Sequence, residues 1–109
     1  MTTKLDDLGR WSEPSLLVLS SLAGGEKHGY AMVSDIEEMA GVHLGPGTLY
    51  GALSRLEDRG LILALPPEGR RRPYRITAAG AGALEEQLTT MATVASTGLT
   101  RLRAAAGPA

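Results

Sequence analysis

The sequence contains no cysteine, only one tryptophan and no long hydrophobic run among its 109 residues. The absence of cysteine excludes a disulfide framework and a thiolate metal site. The longest apolar runs, 16–19 and 61–67, are too short to cross a bilayer, so we expect no contact with a membrane. No apolar run follows Met1, so we expect no signal peptide and a cytoplasmic protein. A chain of this length predicts one domain.

Several kinds of catalytic and metal site are also missing. There is no plausible serine–histidine–acid set and no glycine-rich phosphate loop before a helix, so the sequence predicts a protein that is not an enzyme. His28 and His43 fall in separate loops, which makes a poor metal site, and His28 is better suited to cap the helix that follows. We therefore expect no metal and no cofactor.

The most informative segment is 46–59. Pro46 suits a first helical turn and Gly60 a left-handed residue just after the end, so the segment predicts a helix. Its apolar residues recur at helical spacing and predict one buried stripe: Leu49, Ala52, Leu53 and Leu56. The opposite face has two glycines, although each weakens a helix by roughly 1 kcal/mol. This face predicts close approach of a nucleic-acid groove, with an ordinary surface helix as the alternative; its residues are Gly47, Gly51, Ser54 and Asp58, flanked by Thr48, Tyr50 and Arg55.

Charge is unevenly distributed, although the whole chain carries only −1. Residues 1–53 hold three cations and seven acids, a net −4, whereas residues 54–75 hold six arginines and three acids, a net +3. Arginine suits phosphate groups and base edges, because its planar guanidinium donates in pairs. The run Arg70, Arg71 and Arg72 is therefore a candidate DNA contact, with a solvated turn as the alternative.

The flanking segments predict how this helix is presented. A buried helix is expected over 14–23 and a second over 30–40, the latter facing the core with Met32, Val33, Ile36, Met39 and Ala40. Gly41 closes the second helix, and the short turn before Pro46 completes a helix-turn-helix pattern. Tyr30 and Tyr50 are expected to pack these helices through their rings and to offer their hydroxyls to a DNA phosphate.

Residues 61–76 predict a β-hairpin, the wing of a winged helix. The strands are expected over 61–65 and 72–76, with Tyr74 and Ile76 on one face. Pro73 predicts an edge position for the second strand, since proline cannot donate to a ladder.

The last predicted helix begins at Thr77 and runs to about residue 105. Its 4,3,4,3,4 spacing is typical of a coiled-coil seam between two copies; the expected dimer contacts are Leu84, Leu88, Met91, Ala95, Gly98 and Leu102, with Leu5, Leu8 and Trp11 of an N-terminal arm. Dimer core is the favoured interpretation of the region around Met91, Val94 and Leu99, and an effector pocket is the alternative. The predicted organisation is a winged helix-turn-helix over 1–76 and a dimerisation helix over 77–109, mainly α and one compact unit.

Four blocks in this order resemble the PadR-like transcriptional regulators and cover about residues 13–85: 28–30, 45–50, 56–62 and 72–80. The resemblance implies a winged helix-turn-helix, a homodimer built through the last helix, and repression from a near-palindromic operator on double-stranded DNA. The resemblance is to the short subfamily, which has a single C-terminal helix.

Two departures from the family are visible. Glycine stands at positions 45 and 51, where the family often has serine and proline. Some members of the short subfamily bind flat aromatic drugs between tryptophans of the last helix. The only tryptophan here is Trp11, far from that helix in the sequence, so this class of ligand does not carry over and any effector stays unidentified. A winged-helix module that binds another protein without DNA is the alternative function.

Overall fold

The computed structural model describes residues 13–107, which form four helices and three short strands. In chain order these are α1 (Pro14–Leu22), β1 (Lys27–His28), α2 (Gly29–Ala40), α3 (Pro46–Asp58), β2 (Ile62–Ala64), β3 (Pro73–Ile76) and α4 (Ala78–Ala106). All four predicted helices are confirmed, with ends within a few residues of those expected.

The helix boundaries follow local chemistry. His28 Nδ1 accepts a hydrogen bond from the Ala31 amide at 3.4 Å, which caps α2 as predicted. Gly41 ends the same helix in the left-handed conformation, with φ of 69°. At the end of α3 the Gly60 amide donates to Glu57 and the Leu61 amide to the carbonyl of Leu56 (2.9 Å), while Gly60 has a φ of 72°. These bonds form a Schellman motif and turn the chain sharply into β2.

The hydrophobic core lies between the first three helices and the hairpin. It contains the whole predicted stripe of α3, together with Val18 of α1 and Met32 and Ile36 of α2. The prediction fails at the end of α2, where Met39 is half exposed and Ala40 is exposed. Both residues lie in the last turn of α2, where no described element packs over them, so they stay outside the core.

A partly buried polar cluster ties α1 to α2. Ser21, 1% exposed, donates to the Asp35 carboxylate at 2.7 Å, and the Lys27 ammonium donates to the Ser21 carbonyl at 2.6 Å. The Lys27 nitrogen also lies 4.0 Å from the Asp35 carboxylate. The cluster satisfies groups that burial would otherwise leave without partners.

The three strands form an antiparallel sheet in the order β1-β3-β2. The edge position predicted for the proline-containing strand is wrong, because Pro73 pairs with His28 of β1 and β3 lies in the centre. Proline is tolerated there as the first residue of its strand, where no amide is needed, and its carbonyl accepts from Leu65 at 2.9 Å. Tyr74 and Ile76 lie on one face of β3 as predicted, and both contact the core.

Helix α4 leaves the body of the domain after Met91, about four turns from its start. Its 29 residues span roughly 43 Å at 1.5 Å per residue, yet its buried residues are Gly80 and Leu84, both near the start. Thr77 caps the helix as predicted, its hydroxyl oxygen accepting from the Gly80 amide at 3.0 Å. The rest of α4 extends from the fold with an exposed surface.

Candidate nucleic-acid interface

The outer face of α3 carries short side chains, as its sequence predicts. Gly47, Thr48 and Ser54 are exposed, and Gly51 is half-buried because Arg55 lies across it. A Cβ atom on Gly51 would be 3.5 Å from Arg55 Nη1, an ordinary contact. This face is therefore a nearly bare helical backbone with one guanidinium lying along it.

A tight turn forms the tip of the hairpin. Glu68 and Arg71 exchange two backbone hydrogen bonds, of 2.7 and 3.0 Å, around Gly69 and Arg70. Gly69 has a φ of 63°, which a glycine adopts without strain and which suits a two-residue turn. The turn places Arg70 at the tip of the wing and Arg71 on its flank.

The three arginines of the wing have different surroundings. Arg72 Nη1 donates to the carbonyl of Leu65 at 2.9 Å, which ties Arg72 to the opposite side of the hairpin. Arg71 Nη1 lies 3.4 Å from His28 Nε2. Among the described residues no hydrogen bond is formed by the Arg70 side chain, so its guanidinium is the most available of the three.

The two tyrosines do not pack as the sequence suggests. Tyr30 is 78% exposed, so the expectation that its ring packs between the helices is wrong. Tyr50 is 57% exposed and meets α2 along one edge, where a Cβ atom on Gly29 would be 3.1 Å from the Tyr50 hydroxyl oxygen. Gly29 thus permits the Tyr50 hydroxyl to lie over the first residue of α2.

One groove brings these residues together. It has a volume of about 200 Å³ and is lined by His28, Gly29, Tyr30, Tyr50, Arg70, Arg71, Arg72 and Tyr74. Its walls come from β1, the start of α2, α3, and the tip and returning strand of the wing, and its lining includes three arginines and no acidic residue. Such a groove attracts an anion, because cations in a concave site reinforce one another's field.

Tyr74 lies at the inner wall of this groove and is 9% exposed. Burial raises the pKa of the Tyr74 hydroxyl above its ordinary value, and the nearby Glu57 carboxylate raises it further, while Arg72 acts in the opposite direction. Tyr74 is therefore a neutral hydrogen-bonding group at physiological pH.

The residues expected at a dimer contact fall into three groups. Leu84 is 5% exposed and belongs to the core of its own chain, so its place in an intersubunit seam is wrong. Met91 is partly covered by that core, whereas Leu88, Ala95, Gly98 and Leu102 are exposed along α4. Leu5, Leu8 and Trp11 lie outside the described residues. Leu99, half exposed, lies four residues after Ala95 and three before Leu102, in the region whose favoured interpretation from the sequence is dimer core.

The two histidines serve different elements. His43 Nδ1 lies 3.5 Å from a Glu37 carboxylate oxygen on the surface, whereas His28 faces the wing. In residues 13–107 no three side chains of the metal-ligating types come together. Over the same residues, no helix has the length and hydropathy needed to span a membrane.

Sequence reasoning missed the place of His28 and Gly29 in the groove. From the sequence, His28 is assigned only the cap of α2, and Gly29 enters only as part of the block 28–30. The available signal was the pairing of the segment before α2 with the strand that contains Pro73. That pairing depends on β1, which has only two residues and carries no periodicity.

Known proteins resemble this chain in both sequence and fold. The model of the transcriptional regulator PadR-like family matches residues 18–86. The transcriptional regulator Rv3488 of Mycobacterium tuberculosis is 40% identical over 74 residues, which are 65% of this chain and 68% of that protein. A PadR family transcription regulator from Clostridium difficile R20291 superposes with a TM-score of 0.74 at 24% identity, over 84% of this chain and 99% of that one, a likeness that concerns the fold.

A longer protein also contains a similar segment. An uncharacterized 37.1 kDa protein in transposon TN4556 of Streptomyces fradiae is 47% identical over 83 residues, or 76% of this chain. The chain spans about a quarter of that protein's length, since the match covers 24% of it.

Proposed function

Because this chain belongs to the PadR-like family of transcriptional regulators, we propose that it is a sequence-specific repressor that binds double-stranded DNA as a homodimer. Members of the family are transcriptional regulators and not enzymes, in agreement with the absence of catalytic motifs from the sequence. The proposed binding site is a near-palindromic operator, and the proposed location is the cytoplasm.

The observation that carries this proposal is the groove shared by α2, α3 and the wing. It joins Tyr30, Tyr50 and the three arginines at one edge of the exposed face of α3. An ordinary surface helix would not require an arginine-rich loop to lie beside Tyr50, at the margin of its exposed face. A helix that enters a major groove does, because the backbone on either side of that groove must be neutralised while the bases are read.

Each part of the interface has a distinct role in this proposal. Gly47 and Gly51 keep side chains short where the helix approaches the base pairs. Thr48, Ser54 and Arg55 are the side chains that read base edges. Tyr30 and Tyr50 contact phosphates through their hydroxyls, and the wing arginines contact phosphates or the adjacent minor groove.

The exposed stripe of α4 supports the homodimer. Its apolar residues are Leu88, Met91, Ala95, Gly98, Leu99 and Leu102, with Leu102 69% exposed. A seam with this spacing is buried when two copies of α4 pair. Pairing would place two reading helices on half-sites about one turn of DNA, roughly 34–36 Å, apart.

The last part of the proposal is that a small-molecule effector releases the repressor from its operator. An apolar groove of about 320 Å³ lies where α4 leaves the body, between Ala23, Ile76, Ala81, Leu84 and Leu88. A ligand in this groove would push α4 away from β3 and change the distance between two reading helices. A screen for compounds that raise the melting temperature and release DNA tests this step.

Selection of bound duplexes from a random pool tests DNA binding and reads the operator together. The selected duplex should then be titrated at several salt concentrations with the wild type, Arg70→Ala and Arg101→Ala. Loss of one phosphate contact should flatten the log–log salt slope by about one unit for Arg70→Ala. Arg101→Ala removes the same charge from α4 and should leave the slope unchanged. A pool from which no duplex is enriched would favour the protein-binding alternative.

A further inference from the structure

His28 is held between two hydrogen-bond donors, and it cannot accept from both. Its Nδ1 faces the Ala31 amide at 3.4 Å and its Nε2 faces Arg71 Nη1 at the same separation, 3.4 Å. A neutral imidazole has one acceptor nitrogen and one N–H group, and a guanidinium has donors only. One of the two contacts is therefore always a donor facing a donor.

The helix cap decides which nitrogen accepts. The Ala31 amide is fixed in the first turn of α2 and partly buried, so losing its partner would leave an unpaired backbone donor. Arg71 is exposed on the wing and can bond to water instead. The cap therefore keeps Nδ1 unprotonated and places the proton on Nε2. Nε2–H and the Arg71 guanidinium then present two donors at the same edge of the groove.

We propose that His28 and Arg71 together bind one phosphate group of the DNA backbone. A phosphate oxygen accepts from both groups and removes the donor–donor conflict that the free protein contains. The Tyr50 hydroxyl, held above Gly29, supplies a further donor beside them. This assignment rests on the proposed DNA-binding function, and it adds His28 as a direct contact.

The position of His28 gives this contact a second consequence. One imidazole caps α2 through Nδ1 and meets the phosphate through Nε2, so the bound phosphate is fixed relative to both α2 and the wing. The wing itself is anchored to the same place, because His28 pairs with Pro73 in the sheet. The phosphate bound here sets the depth at which α3 enters the neighbouring groove.

The variant His28→Asn separates the two roles of the side chain. Asparagine is a favoured N-cap, so the melting temperature should be retained. Its amide is too short to reach the position of Nε2, so affinity for the selected duplex should fall roughly tenfold or more. The salt slope should stay closer to that of the wild type for His28→Asn than for Arg71→Ala, which removes a permanent charge and should flatten the slope by about one unit.

A scan with single methylphosphonate substitutions in the selected duplex identifies the phosphate. One substitution should weaken wild-type binding and leave the affinity of His28→Asn unchanged, since that contact is already lost. The inference is overturned if His28→Asn binds with wild-type affinity, or if every methylphosphonate weakens both proteins by the same factor. Failure of the wild type to bind any duplex would instead remove the proposed function itself.

Discussion

The Thr77 hydroxyl donates to the Gly60 carbonyl oxygen at 2.7 Å, which ties the first residue before α4 to the turn that ends α3. The Thr77 hydroxyl oxygen also accepts from the Gly80 amide at 3.0 Å, and the Thr77 amide donates to the Leu61 carbonyl at 3.1 Å. One side chain thus caps the long helix and fixes it to the end of the proposed reading helix.

Replacing Thr77 by alanine should therefore lower the free energy of unfolding by about 1–2 kcal/mol, because a helix cap and a tertiary hydrogen bond are lost together. Thr93→Ala is a matched control, since the Thr93 hydroxyl donates only to the Thr89 carbonyl within α4. Denaturant unfolding of both variants measures the difference. Equal stability for the two would mean that neither the cap nor the contact with Gly60 contributes to the free energy of unfolding.

The second prediction concerns two glycines of α4 that stand two residues apart. A Cβ atom on Gly80 would overlap the Leu61 carbonyl oxygen and lie 2.9 Å from Ile76 Cγ1, whereas one on Gly82 would meet nothing within 4 Å. Gly80→Ala should destabilise the fold by about 2 kcal/mol or more, since a backbone carbonyl cannot move aside as a side chain can. Gly82→Ala should raise stability by up to ~1 kcal/mol through helix propensity. Thermal unfolding distinguishes the two, and similar melting temperatures would contradict the packing argument.

These contacts show what local sequence patterns could and could not predict. Caps and periodicity predicted α1 to α4, because the interactions that define a helix are four residues apart or fewer. The close approach of Gly80 to Leu61 joins residues from different elements, and no periodic signal marks it. Position 80 was read as part of a family motif, without the physical reason for its glycine.

The residues of the candidate site also divide into those within one segment, which the sequence predicts, and those joined only by tertiary contacts, which it does not. The α3 face and the arginine run were predicted, since each lies within one continuous segment. His28 was assigned only its cap, because its second contact crosses the sheet to Arg71, 43 positions along the chain. Leu84 was misplaced for a similar reason. Its spacing fits the seam, but the first turns of α4 are covered by the chain's own core, and only tertiary packing reveals where that cover ends.

The third prediction uses the raised pKa of Tyr74. The folded protein holds the phenol proton more tightly than the unfolded chain does, so the unfolded state loses its proton first as pH rises. The stability that depends on this proton is complete below about pH 10 and should decline above it. Tyr74→Phe should reduce that decline, whereas Tyr30→Phe, which changes an exposed tyrosine, should not. Chemical unfolding at pH 8 to 11 is the measurement, and identical curves for Tyr74→Phe and the wild type would contradict it.

The fourth prediction tests the seam of α4. Leu102→Asp would place a charge in the apolar contact between two helices. The dimer should therefore dissociate at a higher protein concentration than the wild type, and operator affinity should fall with it. Thr100→Asp adds the same charge on the opposite side of the helix and should leave the dimer intact. Light scattering over a dilution series compares them. An undisturbed dimer for Leu102→Asp would place Leu102 outside the seam.

The last prediction separates DNA reading from folding at Gly51. A glutamate there meets open space and Arg55 at i+4, so it should raise the melting temperature through helix propensity and an ion pair. On a solvent-exposed face the change would be harmless to function. In a major groove it would bring a carboxylate against base edges and phosphates and would neutralise Arg55, so specific binding should weaken by at least ~2 kcal/mol.

Gly51→Ala is the control, because it gains helix propensity without charge or length. It should be more stable than the wild type and keep most of its affinity for the selected duplex. The informative result is the difference between the two variants, since both strengthen the helix and only one obstructs the face. If Gly51→Glu holds the duplex as tightly as Gly51→Ala does, α3 is not the helix that reads the DNA.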